Sequence, residues 1–261
     1  QPEDKEKVTI SGQKKWTDYD DVFGLRPDKD EFTKSLTLYR SAPSQPGQNN
    51  PIAETEVPAG SYKITVEAGE TSPWQYKIEG TEDSGELERY APNGMPWKYV
   101  VREDTANTVY TVSPSSAGQS GSTAQDGNVT VTAINNSIQT SAAYRKNWVN
   151  TEGEPVTEDY LGTDLTVSFK LQVAEKNDDG ALGQWHDAET YFKDNLTEDV
   201  IKKVFGNKSF TAELKGRVDS DTWSKGGSFT ALPRVIVKDG GQEITNLSYR
   251  TVESSISYGE V

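Results

Sequence analysis

The chain has 261 residues, 41 acidic against 27 basic side chains, a formal charge of -14, one histidine and no cysteine. This composition excludes disulfides, thiolate metal sites, cysteine nucleophiles and any multi-histidine metal centre. It also argues against nucleic acid or an anionic membrane as partner, because both require clustered Lys and Arg.

A hydrophobic fraction of 33% leans towards disorder, but six Trp, twelve Tyr and seven Phe are a large apolar payload for a solvated coil. Their placement decides for a fold. The first seven residues are mostly charged and read as a tail. Beyond them, one-in, one-out alternation of aromatic and β-branched residues recurs over residues 35–39, 62–66, 97–101, 129–134, 165–171 and 235–237. Turn signals separate these runs at Pro58-Ala59-Gly60, Pro92-Asn93-Gly94, Asn177-Asp178-Asp179-Gly180 and Asp239-Gly240-Gly241. Residues 41–51, with three prolines, and residues 113–127, rich in Ser, Gly and Gln, read as loops. The pattern predicts an all-β sandwich whose polar outer faces account for the low hydrophobic fraction. One helix is expected over residues 197–205, with Thr197 as N-cap, acids in the first turn, Lys in the last and Gly206 as the stop.

No apolar run approaches the roughly 20 residues of a membrane span, so membrane insertion is not expected. No signal peptide opens the sequence, so an exported protein would be represented by a mature fragment. The acidic clusters Asp18-Tyr19-Asp20-Asp21 and Asp28-Lys29-Asp30-Glu31 lack EF-hand spacing and its Gly and read as solvated loops. His186 stands without a placed partner and reads as a loop histidine. Neither a metal nor another cofactor is expected.

The chain repeats a sparse pattern. Lys14-Lys15-Trp16 corresponds to Lys146-Asn147-Trp148, and the strand from Tyr99 to Glu103 corresponds to that from Tyr249 to Glu253. The Lys-to-Glu spacing is 89 residues in the first copy and 107 in the second, the longer one accommodating the helix. Two tandem modules follow, residues 8–141 and 142–261, the second with a short helix insertion and without a final strand.

Strand parity points to chemistry within the first module. Lys14 and Trp16 share a face; so do Tyr99, Val101 and Glu103; so do Ile134, Asn136 and Ile138. If these are core faces, a Lys, a Glu and an Asn meet in one buried cluster, where burial favours the neutral amine and the neutral acid. A neutral amine is a nucleophile, and a protonated carboxyl polarises a carboxamide and shuttles protons. The product is a Lys–Asn isopeptide bond with loss of ammonia. Asn135 is the neighbouring alternative, and alternation favours Asn136.

At these residues the sequence resembles the Cna B-type domain, the B-type repeat of collagen-adhesin-like surface proteins of Gram-positive bacteria. The resemblance rests on Gly12-Gln13-Lys14-Lys15-Trp16, Arg26-Pro27, the strand from Leu36 to Tyr39, Tyr90-Ala91-Pro92-Asn93-Gly94, Tyr99 to Glu103, and Ile134-Asn135-Asn136. It covers residues 8 to about 140 in order and continues more sparsely from about 142. It implies Ig-like or prealbumin-like sandwiches, a wall-anchored extracellular adhesin or pilus-like protein, and a Lys14–Asn136 bond assisted by Glu103. In the second copy Lys146 and Glu253 hold the equivalent positions, but no Asn follows Glu253, so an unreacted pair is expected there. The implied role is a structural stalk rather than an enzyme with a substrate, in a monomeric fragment whose parent protein contacts host matrix protein or carbohydrate through other parts. The alternative is that this segment is itself the adhesive module, which exposed aromatics in a loop groove would favour.

Overall fold

The computed structural model describes residues 7–67, 71–81, 87–104, 108–114, 119–120 and 127–258. The chain divides into two compact units, Gln1–Ile138 and Gln139–Val261. Residues 139–141, counted with the first module in the sequence reading, open the first strand of the second unit. Most of the charged tail and of the Ser/Gly/Gln-rich loop lies outside the described residues.

The first unit runs β1 (Thr9–Thr17), α1 (Lys29–Ser35), β2 (Leu36–Ala42), β3 (Ile52–Glu56), β4 (Tyr62–Glu67), β5 (Trp74–Gly80), β6 (Lys98–Glu103), β7 (Thr111–Ser113), β8 (Gln119–Ser120), β9 (Asn128–Thr130) and β10 (Ile134–Ser137). Among the described residues these strands form two sheets. One has the order β4-β5-β1-β10-β7, with β9 also on β1; the other has the order β3-β2-β6-β8. The expected strand over 129–134 is two strands, β9 and β10, both parallel to β1. Between the sheets lie Ile10, Leu38, Ile78, Tyr99, Val101, Ile134 and Ile138, all fully or nearly fully buried.

The acidic clusters prove to be structural. Asp28 caps α1 through a capping box: its Oδ1 accepts from Glu31 N–H at 2.8 Å, and Glu31 Oε2 accepts from Asp28 N–H at 3.3 Å. The cap starts a seven-residue helix whose single buried side chain, Phe32, enters the core. Asp18 is buried rather than solvated. Arg26 donates to it from Nε at 2.8 Å and Nη2 at 2.7 Å, and the Tyr110 hydroxyl donates at 2.9 Å. Asp21 accepts the amides of Leu25 and Arg26 at 2.7 and 3.1 Å. These carboxylates are thus committed to a turn and an ion pair, and no cluster of three or more metal-ligating side chains is found among the described residues. Asp18→Ala should destabilise the first unit by about 3–5 kcal/mol, because it leaves a nearly buried guanidinium unpaired. A urea titration followed by tryptophan fluorescence measures this.

The second unit runs β11 (Gln139–Tyr144), β12 (Leu165–Lys176), β13 (His186–Asp187), α2 (Ala188–Asn195), α3 (Glu198–Phe205), β14 (Thr211–Gly216), α4 (Thr222–Lys225), β15 (Gly227–Pro233), β16 (Val235–Val237) and β17 (Ile244–Tyr258). β11 pairs with β15, while β12 is flanked by β14 and β17, with β13 and β16 extending that sheet. The core joins Leu165, Val167, Phe169, Leu214 and Trp223. The expected helix is α3, with Val200 N–H donating to Thr197 Oγ1 at 3.3 Å and Gly206 in a left-handed stop at φ 59°. The sequence reading did not anticipate α2, which adds Phe192 to Phe205 and Phe210 in an aromatic cluster with centroids 4.6 and 5.9 Å away. His186 is exposed at the start of this insertion.

Candidate cross-linking site

The first unit brings Lys14, Glu103 and Asn136 together. Lys14 lies on β1, a central strand, opposite Trp74 of β5 on one side and Ile134 of β10 on the other. Because β10 runs parallel to β1 and side chains alternate, Asn136 falls on the same inner face two residues further along. Glu103 comes from the end of β6 in the facing sheet. Lys14 Nζ donates to Glu103 Oε2 at 2.5 Å, and Asn136 Nδ2 donates to Glu103 Oε1 at 2.8 Å. The amine and the carboxamide therefore sit on the two oxygens of one carboxyl group. The Lys14 and Glu103 side chains are 0% and 4% exposed, and Asn136 is 1% exposed. Asn135 points the other way, its Oδ1 accepting from Thr17 Oγ1 at 2.9 Å.

The surroundings explain the state of the amine. Lys14 Nζ lies 4.5 Å from the Trp16 ring centroid and 5.4 Å from that of Phe32. Burial among these rings pushes the Lys14 amine down from 10.5 to about 8, against the opposing pull of the Glu103 carboxylate. One buried polar atom of the cluster is unsatisfied: among the described residues, Asn136 Oδ1 has no hydrogen-bond partner. Rotating the carboxamide by half a turn puts that oxygen in the place of Nδ2, where it would accept a proton from the Glu103 carboxyl.

Three further residues shape the site without having been singled out as contributors. Gly12 stands opposite Tyr76 in the β1–β5 register, and a methyl on Gly12 would lie 2.3 Å from the Tyr76 ring. Only glycine lets this fully buried ring lie across β1, and Tyr76 in turn packs on Phe32 with centroids 6.1 Å apart. Phe32 was legible through its capping box, Asp28 followed by Glu31 at the third position.

The second unit repeats the frame. Lys146 Nζ donates to Glu253 Oε2 at 2.8 Å and lies 4.8 Å from the Trp148 centroid, as Lys14 does with Glu103 and Trp16. Trp148 meets Trp223 edge-on at 5.3 Å, as Trp16 meets Trp74 at 5.2 Å. Tyr249 donates to the Pro233 carbonyl and Tyr99 to the Glu88 carbonyl, each at 2.5 Å. The cross-strand Gly–Tyr pair is also present with its members exchanged: Tyr144 on β11 faces Gly227 on β15. The Lys146 and Glu253 side chains, however, are 20% and 36% exposed. Solvent thus removes the desolvation cost that an unreacted buried pair would carry.

The fold and the site define a β-sandwich protein whose first unit holds a buried Lys–Glu–Asn cluster between facing sheets. No family model matches the chain, and no curated protein matches it. Among solved structures, the chain is similar to the C-terminal fragment of the pilus adhesin SpaC from Lactobacillus rhamnosus GG, at 10% identity and a TM-score of 0.18, over 95% of this chain and 97% of that one.

Proposed function

We propose that this chain is a stalk segment of a Gram-positive surface adhesin or pilus-like protein, held by an intramolecular Lys14–Asn136 isopeptide bond. The observation that carries the reading is the buried seating of Lys14 and Asn136 on the two oxygens of Glu103. A proton passing from Lys14 to Glu103 leaves a neutral amine and a neutral acid. The amine attacks the Asn136 carboxamide carbon while the carboxyl donates to its oxygen. The bond to Nδ2 then breaks, and Glu103 relays the amine proton to the departing ammonia. The site turns over once and takes no external substrate. The bond joins β1 to β10, so nearly the whole unit is closed and tension along the chain is borne covalently.

The tryptophans support the stalk over the adhesive alternative, although Tyr90, Tyr160 and Tyr258 are exposed. None of the six tryptophans is exposed: Trp16, Trp74, Trp97 and Trp223 are buried, and Trp148 and Trp185 are half-buried. Digestion and tandem mass spectrometry should recover one branched peptide joining Lys14 Nζ to Asn136 Cγ. Quantitative recovery of both residues in unmodified linear peptides would overturn the proposal.

A further inference from the structure

One flank of the second unit is built differently from that of the first. In the first unit β5 is held on one side by β1 and on the other by β4, which pairs with it from Tyr62 to Glu67. The Gly–Tyr pairs match β15 with β5, but among the described residues β15 pairs with β11 alone. The helix insertion and the edge of β14 border this flank instead, and a pocket of about 330 Å³ lies between them. Small-molecule sites span roughly 300–1,000 Å³. Two aromatic pairs form the walls. Phe205 and Phe210, from the insertion, meet edge-on with centroids 5.0 Å apart. Tyr144 and Phe229, from β11 and β15, lie 5.4 Å apart.

The rim of the pocket is basic. The chain carries 41 acidic against 27 basic residues, yet among the described residues no acidic side chain lines the pocket and Lys208 is its single charged group. Lys208 Nζ donates to the Thr230 carbonyl at 3.1 Å and, among the described residues, has no carboxylate partner. An ammonium has three donors, so two remain for an anion. The accepting carbonyl sits at a bulge. Thr140 stands opposite Leu232 and Ala142 opposite Phe229, so β15 carries Thr230 and Ala231 where β11 carries Ser141 alone. Ala231 takes a left-handed φ of 55°, which a non-glycine residue adopts only at a cost. Bulges recur beside binding sites, where they re-aim the groups of a strand.

We infer that this pocket binds an aromatic carboxylate. The ring enters between the Phe205–Phe210 and Tyr144–Phe229 walls, and the carboxylate accepts from Lys208 Nζ at the mouth. Aromatic walls favour a ring through edge-to-face and offset contacts, and removal of the ring from water supplies most of the affinity. The lone cation, with no carboxylate beside it, selects an anionic head group over a neutral or cationic one. A free aromatic acid and a peptide chain that ends in an aromatic residue both present this chemistry. The site lies in the second unit and does not depend on the Lys14–Asn136 bond proposed for the first.

The probe is 3-phenylpropanoate, titrated into the full chain by isothermal titration calorimetry. Its Kd should be on the order of 0.1–1 mM, as a ligand of this size allows. The neutral 3-phenylpropanamide should bind about tenfold more weakly, and Lys208→Met should bring the acid down to the level of the amide. Ala212 lines the pocket, half-buried on the inward face of β14 with Leu214. Ala212→Phe fills the pocket and should abolish binding of both probes without lowering the thermal midpoint. The tripeptide Gly-Gly-Phe with a free C-terminus separates the two sources. Affinity equal to or above that of the free acid assigns the site to a chain terminus, and weaker affinity assigns it to a free acid. Absence of binding by either carboxylate, equal affinity for acid and amide, or binding that survives Ala212→Phe overturns the proposal.

Discussion

The wild-type chain should weigh one ammonia less than its sequence, and Glu103→Gln should restore the full mass. The variant replaces a proton carrier by an amide of nearly the same shape, so packing around Lys14 and Asn136 is kept while the proton relay is lost. The thermal cost follows from chain entropy. A cross-link closing a loop of on the order of 100 residues stabilises by about 5 kcal/mol, by analogy with disulfides. For a unit of this size that corresponds to about 15–20 °C in the thermal midpoint. Glu103→Gln also leaves the buried Lys14 without its counter-charge, which adds its own destabilisation. The double variant Lys14→Met/Glu103→Gln removes both charges and fills the space among Trp16 and Phe32 with an apolar chain of similar length. Its midpoint should remain about 15 °C or more below wild type, and that remaining difference belongs to the cross-link. A wild-type chain of full sequence mass, with a midpoint no higher than that of the double variant, would sink the cross-link and leave the sandwich standing.

The site was legible in the sequence because strand parity is strict. Once residues 12–16, 99–103 and 134–138 are read as strands, Lys14, Glu103 and Asn136 must fall on the inward faces with Trp16, Val101, Ile134 and Ile138, and Asn135 must fall outside. What parity cannot supply is a partner remote in sequence. Asp18 looked like part of a solvated acidic loop because Tyr110, one of the groups that makes its burial tolerable, is 92 residues away. The Asp28-to-Glu31 spacing did carry a helix start, but it was read as charge density rather than as a capping box. The Gly–Tyr pair shows a third kind of loss. The two units place Gly and Tyr on opposite strands of the pair, so an alignment by residue identity cannot match Gly12 with Tyr144, although both serve the same contact.

The rate of cross-linking should fall, not rise, as pH passes upward through about 8. Burial holds the Lys14 amine near 8 in the folded, unreacted unit, below its ordinary 10.5. Below that pH the Lys14–Glu103 pair holds one proton between the two groups. The ion pair and the neutral amine with neutral acid are two placements of that one proton, so the reactive fraction does not change with pH in this range. Above about 8 the pair surrenders its proton to solvent, and Glu103 has nothing to donate to the Asn136 carbonyl. The rate should then drop about tenfold for each further pH unit. The contribution of Lys14 to stability of the unreacted fold runs in the opposite direction. At this group the unfolded chain binds more protons than the folded one between about 8 and 10.5, so its contribution to unfolding free energy rises with pH across that window. A falling rate just above pH 8 therefore cannot be ascribed to a loss of stability through Lys14. The measurement uses unreacted chain kept in urea, refolded by dilution across pH 6 to 10, quenched at intervals and scored by intact mass. A rate that climbs through pH 8 would mean that the free amine alone is limiting, and would remove Glu103 from its place as proton donor.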